Sequence, residues 1–273
     1  MYSKMCVLVM AMCCCLTSVM AHGPQIQTTN DSGKIVTREI VDASDYDTVL
    51  TNPKQVYVMP LAKVASVWRA QPDSAFIGWP GFAYGFGYDA TTNPEPFPVG
   101  SKFVLGFIDG LKSWNGSAFA DAGASEAEAY RGTSVAPSAL ARTSDSGPFA
   151  SLEFPGGAGI SYASEGSEVH NTVNYRMLGD GNSDTSFLPD GIYLLSMQLS
   201  SSDQSIAASD PFYFMLTKNG ASDLEEAIAW LPIDSSLVQV IVPEPSMLSI
   251  SVVGLLSLIV LGDLSRSSRR QMP

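Results

Sequence analysis

Apolar and polar positions alternate with a period of two through much of the middle of the chain. Such runs, some of them apolar throughout, fall at Lys34–Val41, Gln55–Met59, Val64–Trp68, Lys102–Ile108, Ser125–Arg131, Glu168–Leu178, Ile192–Leu199 and Pro211–Thr217. Side chains of a strand point alternately to its two faces, so each run predicts a strand. Turn-forming pairs punctuate the runs: Asn93-Pro94, Asp109-Gly110, Asn115-Gly116, Gly156-Gly157, Asp190-Gly191 and Asn219-Gly220. No helical period intervenes between these strands. The pattern therefore predicts an all-β domain, an antiparallel β-sandwich or jelly roll. Residues 132–148 (GTSVAPSALARTSDSGP) are small and polar, and are expected to form a long loop.

One short helix is predicted near the end of this domain. Ser222 and Glu225 have the spacing of a capping box, in which each side chain satisfies the other's backbone N–H. Leu224, Ala227, Ile228 and Leu231 then share one face, and Pro232 stops the helix. Residues 232–242 read as a linker.

Two longer apolar segments break the strand pattern. Lys4 precedes an apolar run from Met5 to Met20, and small residues at Val19 and Ala21 suit a cleavage site. Residues 1–21 are thus expected to be a signal peptide, cut between Ala21 and His22. All four cysteines (Cys6, Cys13, Cys14, Cys15) lie inside it, so the exported domain, residues 22–231, must be stable without disulfides. The second apolar segment is near the C-terminus. Residues 247–261 carry no charge, and the stretch 246–264 includes Asp263. Fifteen residues of helix span roughly 22 Å against a hydrocarbon core of about 30 Å. The longer stretch reaches further, and Arg266, Arg269 and Arg270 can snorkel to the headgroups and hold that end in the cytoplasm. This predicts a transmembrane helix.

Pro243-Glu244-Pro245-Ser246 stands directly before that helix. A Pro-Glu-Pro element, a short membrane helix and a terminal arginine cluster, in this order, resemble the PEP-CTERM sorting signal, here over residues 243–270. The resemblance implies an exosortase-type processing enzyme as partner, in a Gram-negative-type bacterium that makes extracellular polysaccharide. It also implies removal of the tail near the motif, with the domain released or attached at the cell surface or in the extracellular matrix. Physically, two prolines keep this segment extended and outside the helix. Asp263 departs from the usual uninterrupted apolar helix. On this reading the chain is a substrate of the sorting system, with a structural or adhesive role.

Charge narrows the partners. The formal net charge is −12, and between His22 and Val242 there are 25 acidic and 11 basic residues. The acidic residues are scattered and there is no basic patch, which argues against nucleic acid.

Three constellations are candidates for chemistry. Cleavage after Ala21 would leave His22 with a free amine beside its ring, and His170 could complete a three-nitrogen site for copper, or bind zinc more simply. This resembles the histidine brace of copper-dependent polysaccharide monooxygenases, with Tyr162 or Tyr175 as an axial group; an unstructured terminus is the plain alternative. Asp180, Asn182 and Asp184 alternate like the start of a calcium loop, but Thr185 and Gly191 stand where an EF-hand has glycine and glutamate. A polar turn is the plain alternative there. Phe82, Tyr84, Phe86 and Tyr88 would share one face of a strand and could stack on sugar rings of a polysaccharide; a place in the core is the alternative. No nucleophile motif, metalloprotease motif or phosphate loop is present, and no enzymatic activity is assigned.

Overall fold

The computed structural model describes residues 25–41, 50–64, 67–70, 82–85, 97, 103–133, 136–143, 150–153, 170–179, 188–219 and 222–241. Among the described residues the fold is mostly β, with one α-helix. The strands are β1 (Gln25–Asn30), β2 (Ile35–Val41), β3 (Val56–Val64), β4 (Val67–Ala70), β5 (Phe82–Gly85), β6 (Phe103–Phe107), β7 (Lys112–Trp114) and β8 (Phe119–Asp121). They continue with β9 (Glu126–Thr133), β10 (Ala136–Arg142), β11 (Ala150–Glu153), β12 (His170–Leu178), β13 (Gly191–Ser201) and β14 (Phe212–Lys218). Helix α1 (Leu224–Trp230), a 3-10 turn at Ser235–Leu237 and β15 (Val238–Val240) follow.

All the described strands join one curled hydrogen-bonded network. Its main path runs β11-β6-β13-β14-β3-β4-β12-β5-β1-β2, with β9 and β10 branching from β12, and β7 and β8 from β13. Most ladders are antiparallel. Three among the described residues are parallel: β1 with β5, β14 with β3, and β15 with β3. The path then bends back on itself. Glu39 N donates to Asn52 O (3.1 Å) and Lys54 N to Thr37 O (2.9 Å), so β2 lies against the segment that leads into β3.

The period of two explains where the core sits. In β3, Tyr57, Met59 and Leu61 enter the main core, while Val56 and Val58 enter a second, smaller cluster. In β13, Tyr193, Leu195, Met197 and Leu199 enter the main core, and Ile192 and Leu194 the smaller one. In β14 the division is Phe212, Phe214 and Leu216 against Met215. These three strands are therefore buried on both faces, as their nearly continuous apolar runs require. Helix α1 covers the second face with Ala227 and Leu231, and the β7–β8 hairpin adds Phe119. Within the main core, Tyr175 of β12 meets Phe214 of β14 edge-to-face at 5.1 Å, although β3 and β4 separate these strands in the sheet order.

Several expectations need correction. Residues 132–148 are not one long loop, because β9 runs to Thr133 and Ala136–Arg142 form β10, antiparallel to β9. Ala141 in this stretch is buried, in register with the buried Ala129 of β9. The helix has no capping box. Asp223 is its N-cap and makes no side-chain cap bond, while Ser222 Oγ donates to Asp223 Oδ1 at 2.6 Å. The apolar face is as expected, with Leu224 and Ile228 packed against the smaller cluster. Within the stretch expected as linker, residues 238–240 form β15 and belong to the sheet. Gln55 N donates to Leu237 O (2.9 Å), and Ile241 N donates to Val58 O (2.8 Å).

Candidate functional site: a cleft beside helix α1

The sites read from the sequence are placed unequally. His22, Asp180, Asn182, Asp184, Phe86, Tyr88, Tyr162 and all of 243–270 lie outside the described residues, as does the signal-cleavage position at Ala21. His170 opens β12 and is in register with Gly85 of β5, which in turn is in register with Gln27 of β1. Gln25 is level with Ala83 and hence with Thr172. Toward its N-terminal end, β1 thus runs away from His170. Tyr175, the axial candidate among the described residues, is buried in the main core.

Phe82 and Tyr84 do lie on a strand. Both edges of β5 are filled, by β1 and β12, so this part of the aromatic row is mid-sheet rather than at an open edge. Among the described residues no group of three or more His, Cys, Asp or Glu could hold a metal. Nor is any described helix long and apolar enough to cross a membrane.

The described residues contain a cleft that the sequence did not suggest. It has a volume of about 420 Å³ and is lined by the β7–β8 turn (Trp114, Asn115, Gly116), the start of β13 (Asp190, Gly191, Ile192) and the approach to α1 (Ser222, Asp223). Each wall has a local cause. Asn115-Gly116 makes the hairpin turn: Asn115 Oδ1 accepts from Ser117 N (3.0 Å) and Ala118 N (2.9 Å), and Gly116 takes a φ of +94° that a side chain would resist. Asp190 is held by Lys218 Nζ at 2.6 Å and Asn219 Nδ2 at 2.8 Å. These bonds, Lys218 foremost, keep its carboxyl below the ordinary carboxylate range. Lys218 itself is buried and sits 4.6 Å from the centre of the Trp68 ring. Trp114 stacks edge-on against Phe119 (5.2 Å), which meets Trp230 at 5.5 Å. The indole N–H of Trp114 is buried without a partner among the described residues.

A second polar group of residues crosses the sheet. Arg69, Arg176, Glu128 and Arg142 occupy one row over β4, β12, β9 and β10. Glu128 is fully buried, bonded by Arg176 Nε and with Arg142 Nε 2.6 Å away. Directly opposite residues on adjacent strands share a face, so the register itself assembles this row. A buried carboxylate needs such partners, and the row makes the sheet's register costly to shift.

Scans against protein-family models, curated proteins and solved structures return no match.

Proposed function

We propose that this chain is an exported surface or extracellular-matrix protein, a substrate of an exosortase-type system, with a structural or adhesive role. The observation that carries the reading is the order of the tail: Pro243-Glu244-Pro245-Ser246, an apolar stretch over 246–264, then Arg266, Arg269 and Arg270. The sheet lends it support, because its last described backbone bond is that of Ile241, two residues before Pro243. A processing enzyme would meet the Pro243-Glu244-Pro245 motif directly beyond a strand of the folded domain. The domain we take to be a distorted β-sandwich of jelly-roll type. The contact between Tyr175 and Phe214 across the interior supports facing layers, while the three parallel ladders are the distortion.

The test is intact mass with terminal sequencing of the protein recovered from its native host. The expected product starts at His22 and ends near Pro243. A mature protein that keeps residues 246–270 would overturn the sorting reading and leave an ordinary membrane-anchored surface protein.

A further inference from the structure

We propose that the cleft beside α1 binds a neutral saccharide. Its residues all lie between 114 and 223, so the proposal stands whether or not the tail is cut. The volume of about 420 Å³ falls within the roughly 300–1,000 Å³ common for small-molecule sites. Trp114 supplies apolar surface. Its indole N–H is buried, so any side-chain surface it lends the cleft is ring carbon, which suits the C–H face of a pyranose.

The polar atoms around it are partly unused. Lys218 and Asn219 both bond Oδ1 of Asp190, leaving Oδ2 as an acceptor. Ser222 likewise bonds Oδ1 of Asp223, leaving its Oδ2. Asn115 uses its carbonyl oxygen in the turn and keeps both amide protons to donate. Carboxylate oxygens that accept and an amide that donates, set around an apolar surface, match the hydroxyl pairs of a sugar. Charge selects among sugars. Asp190 is compensated by Lys218, whereas Asp223 has no cationic partner among the described residues. The cleft is net negative, so uronates and sulfated sugars are disfavoured.

Asp223 offers a clean variant, because its side chain makes no cap bond to the helix. The full chain is titrated with cellotetraose, with the trimer of N-acetylglucosamine and with a mannuronate trimer, read by calorimetry and tryptophan fluorescence. Saturable binding of a neutral oligosaccharide is expected, with roughly tenfold or greater weakening in Asp223→Ala at an unchanged unfolding midpoint. Trp114→Ala should abolish it, and far-UV circular dichroism identifies loss through misfolding. No binding of either neutral sugar, equal affinity in Asp223→Ala, or tighter binding of the mannuronate would each overturn the proposal.

Discussion

Tyr193 shows how one side chain ties the main core to the wall of the cleft. It is buried in β13, and its hydroxyl donates to Pro189 O at 2.6 Å. Burial, with a smaller contribution from the charge of Asp190, pushes its phenol from 10.0 up to about 12. The fold therefore favours the neutral phenol. That preference is intact below pH 10 and is lost as pH rises through about 12. Tyr193→Phe should be about 1 kcal/mol less stable at neutral pH, because it loses one hydrogen bond. The deficit should shrink and then change sign between pH 10 and 12, as the wild-type phenol ionises more readily in the unfolded chain. Urea denaturation at fixed pH values measures it, and a constant gap across that window would refute the assignment. At the same scale, β1 shows why some residues were not legible. Its sequence QIQTTN has one large apolar residue, yet Gln27, Thr28, Thr29 and Asn30 are all buried. Gln27 accepts from Thr51 N and Oγ1 at 3.0 Å, and Thr29 Oγ1 accepts from Arg38 Nε at 2.8 Å. Their partners come from other segments, so nothing in the hydropathy of β1 announced its burial.

Among the elements, β15 departs furthest from its sequence pattern. Three residues are too few for a period to show, and Val240 is exposed. The strand is held by β3 on one edge, and on the other Gln239 acts as a substitute ladder. Ile40 N donates to Gln239 Oε1 (2.8 Å), and Gln239 Nε2 donates to Ile40 O (3.1 Å). Lys54 adds a bond to Ser236 O at 2.7 Å. Gln239→Ala should cost about 1–3 kcal/mol through these two bonds. Its readout is hydrogen exchange, where the amides of Gln55 and Ile241 should lose protection while those of β13 keep theirs. Unchanged exchange at Gln55 and Ile241 would show that the side-chain ladder contributes nothing. Three other strands were much easier to read. β6, β13 and β14 lie within a residue or two of their predicted bounds, because their apolar runs meet a core on one or both faces. The cleft was not legible, since it joins a hairpin turn, a strand start and a helix approach from three separate segments, 114–116, 190–192 and 222–223.

For the whole molecule, the curled network argues for one cooperative unit. β3 carries both cores, and β14, β15 and β4 all pair with it. Phe214 lies at the centre, fully buried, with Tyr57 at 5.7 Å and Tyr175 at 5.1 Å. Phe214→Ala should cost about 3–5 kcal/mol. Unfolding followed by far-UV circular dichroism and by tryptophan fluorescence should shift together in this variant, since the tryptophans beside the smaller cluster belong to the same unit. Two separate transitions would mean that the two cores unfold independently.

Although it split β3, which runs unbroken from Val56 to Val64, the sequence read alone determined the mostly β character, the apolar face and proline stop of α1, and the positions of β6, β13 and β14. These are local properties, written in the period of side-chain direction and in turn residues. From the same sequence come the expectations of export and sorting, which rest on the two apolar ends and the Pro243-Glu244-Pro245 motif. Only the tertiary structure decided that β1 and β15 are strands, that Ala136–Arg142 pair with β9, and that Glu128 meets Arg176 and Arg142. It also decided that Trp114, Asp190 and Asp223 border one cleft. Each of these depends on backbone or side-chain partners supplied from distant segments, and a hydrogen bond between distant segments leaves no period in either one.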